Sequence, residues 1–195
     1  LKILRRLYDW VLHWAHTPYG TPALFALAVA ESSFFPVPPD VLLMALAISK
    51  PRKAFRYALI CAIGSILGGA LGYAIGYYGY EAVGRPIIDF YHGQPVMDKV
   101  KLLYDTYGFW GVLTAAITPI PYKVFTISSG FFRFDFGLFM IASAIGRSFR
   151  FFLVSSLIYF FGPSIKNFID KYFNLLSIIF MVLLVGGFVL IKYVL

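Results

Sequence analysis

Three prolines in four residues interrupt an otherwise apolar run. The stretch 22–49 is membrane-compatible from Ala23 to Phe35, meets Pro36-Val37-Pro38-Pro39-Asp40, and turns apolar again from Val41 to Ser49. Proline lacks a backbone N–H and clashes with the preceding turn, so no helix continues through that segment. Neither arm crosses a bilayer alone, since 14 helical residues reach about 21 Å against a hydrocarbon core of roughly 30 Å. The pattern predicts a re-entrant hairpin over 22–49, which enters, turns at depth and leaves on the same side. Irregular backbone at that depth must be buried in protein or line a wet cavity. The device recurs over 109–131: Phe109 to Thr118, the break Pro119-Ile120-Pro121, then Tyr122 to Phe131.

Composition fixes the solvent for these hairpins. Of 195 residues, 60% are hydrophobic and only 13% charged, about half the charged share of a soluble domain. One core of this size cannot hide that much apolar surface from water, so the class is an all-α polytopic membrane protein. The net charge is +8. In a soluble protein that would raise nucleic acid as a partner; here it reads as basic loops at a membrane face, with no nucleic acid involved. Cys61 is the only cysteine, which rules out an intramolecular disulfide and a cysteine metal cluster. His13, His16 and His92 are too scattered to suggest a metal site, so no metal and no cofactor are expected. The opening at Leu1 suggests that a few residues precede it. Lys2, Arg5, Arg6 and Asp9 break any apolar run in 1–16, which therefore does not read as a signal peptide.

The remaining segments fall around the hairpins within one membrane domain, 1–195. Residues 1–16 carry apolar side chains at helical spacing, with Trp10 and Trp14 suited to a helix lying in the interface. A full span is predicted over 54–80, where Gly64, Gly68, Gly72 and Gly76 recur every four residues as a smooth face for close helix contact. That face could pack within the chain or between two copies. An amphipathic helix is predicted over 96–107, ended by Gly108. Further spans are predicted over 136–161 and 173–191. The order is amphipathic helix, hairpin and span, then the same again, then one extra span. A hairpin keeps the chain on one side and a span changes it, so the second copy enters from the opposite face, giving an inverted repeat. With the amino terminus inside, inner loops hold Lys2, Arg5, Arg6, Lys50, Arg52, Lys53, Arg56, Lys166 and Lys171, and outer loops hold Arg85, Lys99, Lys101, Arg133 and Lys192. Nine against five favours a cytoplasmic amino terminus.

Five charges remain at membrane depth: Glu31 in the first arm, Asp40 past the first break, Lys123 past the second, and Arg147 and Arg150 inside the span 136–161. Each costs about 2.5–3.5 kcal/mol at the bilayer centre on insertion scales, so such groups face the interior and pair. Arg147 and Arg150 are three apart and share a helix face. An inverted repeat brings both breaks to the midplane, which predicts one polar cavity holding all five groups and binding an anion. Carboxylates there can carry a proton. The plain alternative is a salt-bridge network that only sets helix register. No nucleophile elbow, phosphate loop or HExxH motif is present, which argues against an enzyme.

The stretch Glu31-Ser-Ser-Phe-Phe-Pro36-Val-Pro38-Pro-Asp40 resembles the acidic, proline-broken motif of the DedA family, within the wider VTT, or SNARE-associated, membrane proteins. Its pattern is Glu, four residues, Pro-x-Pro, one residue, then Glu or Asp. A second family motif, Arg-x-x-Pro, then a second Arg and a Gly, is matched at Pro119 and Gly130. The first Arg position holds Ala116, a departure, and the second basic residue is Lys123, displaced by about one position. The form Thr118-Pro119-Ile120-Pro121-Tyr122-Lys123 resembles the YqaA-like branch. The resemblance implies paired re-entrant hairpins and lipid translocation in a bacterial inner membrane, often coupled to protons. Substrates it suggests include undecaprenyl phosphate and phospholipids.

The expected function is a flippase or scramblase for an anionic lipid. Lys123, Arg147 and Arg150 would bind the headgroup, with guanidinium suited to bidentate phosphate contact. Glu31 and Asp40 would couple protons or gate. Pro36, Pro38, Pro119 and Pro121 would shape the turns. Rival readings are a secondary transporter of a small ion or solute, a membrane phosphatase or transferase, and a structural or assembly factor.

Overall fold

The computed structural model describes residue 14 and residues 17–35, 37–80, 82, 94–118 and 120–162. The expected interfacial helix 1–16 (Trp14 apart), the last span 173–191, the three histidines, Pro36 and Pro119 lie outside the described residues. Among the described residues the secondary structure is entirely helical: α1 (Gly20–Ser33), α2 (Asp40–Ser49), a 3-10 turn (Pro51–Lys53), α3 (Ala54–Gly79), α4 (Gln94–Ile117), α5 (Tyr122–Phe131) and α6 (Phe136–Phe161).

Prolines set the punctuation. Pro22 sits in the first turn of α1, where its missing N–H leaves no bond unmade. At the other end, Phe34 and Phe35 both donate backbone N–H to Ala30 O, and Ser33 Oγ donates to Val29 O at 2.8 Å. Pro39 then caps α2, whose Leu43 N–H reaches Pro39 O at 2.9 Å. Pro121 takes an extended conformation before α5. A tight turn joins α5 to α6. Phe134 N–H donates to Ser129 O and Arg133 N–H to Gly130 O, with Arg133 in the left-handed region at φ 55°. Asp135 caps α6 by accepting from Leu138 N at 2.8 Å.

The helices α3 and α6 have 26 residues each, about 39 Å of helix and enough to cross a bilayer. Their surfaces are inverted relative to a soluble protein. On α3, Leu59, Ile63, Leu67, Leu71 and Ile75 form an exposed apolar stripe, and Gly64, Gly68, Gly72 and Gly76 form a buried one. On α6, Ile141, Ile145, Phe149, Leu153 and Leu157 are exposed while Ser143, Arg147 and Ser155 are buried. Continuous exposed apolar stripes of this size fit lipid rather than water. The chain is a helical membrane protein.

The packing centres on α3, which touches α1, α2, α5 and α6. Its glycine face is filled from within the chain. A Cβ on Gly68 would strike the Val29 backbone of α1, and one on Gly76 the Ile127 backbone of α5. Of the two alternatives for this face, the structure shows packing within the chain, against α1 and α5.

The expected helix end at Gly108 is also corrected. Helix α4 runs unbroken from Gln94 to Ile117, so the separate segments 96–107 and 109–118 are one helix of 24 residues. The reason is contact. A Cβ on Gly108 would lie 2.8 Å from the Phe134 ring, so this glycine is a notch for a neighbouring side chain and not a stop.

Candidate functional site: two ion pairs at the helix breaks

The site is built on one turn of α6. Close approach of α4 places it: Gly146 faces Ala116, and a Cβ there would sit 2.5 Å from the Ala116 Cβ. Ala116 is fully buried in this contact. The position where the family motif carries an arginine is thus a helix crossing with no room for one. The guanidiniums come instead from Arg147 and Arg150, just along α6.

Arg147 is 2% exposed. Its Nη2 donates to Glu31 Oε2 at 2.7 Å, and its Nε donates to Ser65 Oγ of α3. Ser32 Oγ lies 2.7 Å from Ser65 Oγ and donates to Glu31 Oε2 at 3.2 Å, which closes a network across α1, α3 and α6. Aromatic rings stack on the cation: Tyr122 at 4.8 Å and Phe151 at 4.7 Å. Tyr122 in turn donates its hydroxyl to Ser143 Oγ at 2.5 Å. In a low-dielectric interior such a network holds only when each polar atom is satisfied, and here the guanidinium has a carboxylate, a hydroxyl and two ring faces.

Arg150 makes the second pair. Its Nε and Nη2 donate to Asp40 Oδ1 and Oδ2, both at 3.1 Å, in a bidentate fork. Its Nη1 donates to Thr118 O at 2.6 Å. One side chain therefore ties the first residue of α2 to the carbonyl left open where α4 breaks. This pair is wetter, with side chains 20% and 14% exposed against 3% and 12% for Arg147 and Glu31.

Lys123 serves the opposite break. Its Nζ donates to Phe35 O at 3.1 Å, so a residue beyond the second break caps an open carbonyl at the first. Thr126 Oγ1 does the same for Ser32 O at 3.0 Å. The breaks are thus cross-linked by side chains, as buried irregular backbone requires.

All five charges sit at the two breaks, where they form two ion pairs and one carbonyl-capping lysine. A carboxylate is the cheapest counterion a buried guanidinium can have. Two cavities near the breaks are apolar. One, of about 690 Å³, runs beside the first break along Trp14, Ala26, Leu27, Phe34, Phe35 and Leu42. Of the described prolines at the breaks, Pro38 is exposed, Pro121 half-buried and Pro39 fully buried. The sequence reading also missed Ser32, Ser65, Thr126, Tyr122 and Ser143. Their signal was present: hydroxyls on arms and spans that are otherwise apolar.

A bundle with lipid-facing stripes, proline-broken helices and guanidinium–carboxylate pairs at the breaks defines a membrane protein with a polar centre. The chain matches the VTT domain over residues 35–160 and belongs to that family, as its resemblance to DedA proteins implied. It is 32% identical to an uncharacterized protein of Haemophilus influenzae over 192 residues, covering 98% of this chain and all of the relative. It is also 32% identical to an uncharacterized protein of Histophilus somni over 157 residues, 80% of this chain and 82% of the relative. No solved structure matches. Membership in the VTT family associates the chain with membrane transport or lipid-related roles.

Proposed function

We propose that this protein moves an anionic lipid across a bacterial inner membrane as a flippase or scramblase, with undecaprenyl phosphate or a phospholipid as substrate class. One juxtaposition carries the reading: Lys123 bonds the carbonyl of Phe35, a residue that also lines an apolar groove of about 690 Å³. A phosphate headgroup suits the lysine and a hydrocarbon chain the groove. In this reading α1–α2 and the α4–α5 break dip in from opposite faces as an inverted repeat, with the amino terminus cytoplasmic. Lys123 and Arg150 bind the headgroup and Asp40 exchanges with it, while the buried Arg147–Glu31 pair holds the site in place. No soluble-type nucleotide motif is present, so the drive is a gradient or the lipid difference itself.

The test is reconstitution into liposomes with fluorescent lipids. Wild type is expected to move an anionic lipid faster than empty vesicles, and Lys123→Met and Arg150→Lys to slow it at least tenfold with folding intact. Equal rates in all three would reject the reading. A secondary transporter would instead carry a water-soluble ion under the same conditions. A structural factor would leave every rate at background.

A further inference from the structure

The two ion pairs are not equivalent. Arg147 is sealed: its side chain is 3% exposed, it holds Glu31 and Ser65, and rings cover it. Arg150 presents a planar edge, Nε and Nη2, to a carboxylate with two parallel bonds of 3.1 Å. Two oxygens of a phosphate fit that edge in the same way as two carboxylate oxygens. Its third contact, Nη1 to Thr118 O, uses the other nitrogen and need not break. Charge points the same way. Among the described residues Glu31 and Asp40 each take one arginine, and Lys123 has a carbonyl and no carboxylate. The two pairs sum to zero, so among the described residues the breaks together carry one uncompensated positive charge.

We propose that Asp40 is an internal competitor occupying a phosphate site on Arg150, and that a phosphate group binds by displacing the Asp40 carboxylate from the Nε/Nη2 edge. Arg147 is a positioning residue that holds α1 to α6 and does not exchange. The exchange forms and breaks only hydrogen bonds. It releases the first residue of α2 from α6 while Thr118 stays held, so headgroup binding loosens the first break alone. The ligand class rests on the anionic-lipid reading, but the shared chemistry is a phosphate group, lipid-borne or free.

The test is thermal unfolding of the purified full chain in phosphate-free maltoside micelles, titrated with inorganic phosphate, and in the same micelles doped with phosphatidic acid. A ligand that binds the folded state raises the midpoint in proportion to its affinity. Removing a competitor that holds the site closed most of the time raises apparent affinity, so Asp40→Asn is expected to respond at roughly tenfold lower ligand than wild type. The gain should vanish in the double variant Asp40→Asn/Arg150→Lys, because lysine cannot offer the fork. A gain with both probes means phosphate alone suffices; a gain only with phosphatidic acid means the lipid is needed. Either supports the site. No gain in Asp40→Asn, a gain that survives Arg150→Lys, or the same response to chloride overturns it. If Asp40→Asn does not fold, Arg150→Lys in the wild-type chain must lose the phosphate response, and an unchanged response overturns the proposal. Loss of liposome translocation alone would reject lipid movement and leave this site standing.

Discussion

Arg147 and Glu31 lie 116 residues apart in the chain, yet Nη2 and Oε2 meet at 2.7 Å, bridging α1 and α6 where both pack on α3. Removing one member of such a pair strands a charge. Glu31→Ala is expected to destabilise the fold by about 3–5 kcal/mol. Replacing both members with apolar groups removes the stranded charge, so Glu31→Ala/Arg147→Met should recover most of that loss. Unfolding in mixed micelles, run as a double-mutant cycle, measures the coupling. Additive losses would show that the pair contributes nothing beyond its separate side chains.

The glycine face of α3 makes a sharper structural prediction. Gly76→Ala puts a methyl group into the Ile127 backbone, and Gly130 faces the Tyr73 backbone reciprocally, so neither side can yield. The expected loss is about 1–3 kcal/mol or more. Gly79→Ala is the control on the same helix, since nothing lies within 4 Å of its Cβ position. It should be neutral or stabilise by up to about 1 kcal/mol. Equal unfolding midpoints for the two variants would contradict the packing.

Tyr122 joins the ion pair to α6 in two ways that substitution can separate. Tyr122→Phe keeps the ring 4.8 Å from the Arg147 guanidinium carbon and loses only the bond to Ser143. It should cost about 1 kcal/mol. Tyr122→Leu also removes the ring, and a desolvated cation–π contact adds about 2 kcal/mol to the loss. The same unfolding assay reads both, and a larger effect from Tyr122→Phe would reverse the assignment.

The two long helices were legible because nothing local opposes them: 54–79 and 136–161 hold no proline and are predominantly apolar. The breaks were legible for the opposite reason. That Glu31, Asp40, Lys123, Arg147 and Arg150 converge also followed from the cost of charge at depth. What did not follow is who pairs with whom, because Arg147 and Arg150 are chemically identical and only the assembled helices bring Glu31 to one and Asp40 to the other. Gly108 misled for a related reason. A glycine that ends a helix and one that admits a ring look alike in sequence, and Phe134, which decides it, is 26 positions away. Ser32 and Ser65 were passed over because a lone hydroxyl on an apolar helix has a partner only once two helices meet.

Lys123 separates transport from folding most cleanly. Its ammonium gives one hydrogen bond, to Phe35 O at 3.1 Å, and pairs with no carboxylate among the described residues. Lys123→Met should therefore lose only about 1 kcal/mol of stability, the worth of a single ordinary hydrogen bond. If the uncompensated charge attracts a phosphate headgroup, the same variant should move anionic lipid at least about tenfold more slowly, the equivalent of 1.4 kcal/mol. Lys123→Arg keeps the charge and should retain most of the rate. Liposome assays with anionic and zwitterionic fluorescent lipids, on protein whose unfolding midpoint has been measured, would read both effects. A rate unchanged in Lys123→Met, or lost equally in Lys123→Arg, would assign this lysine to capping the Phe35 carbonyl and nothing more.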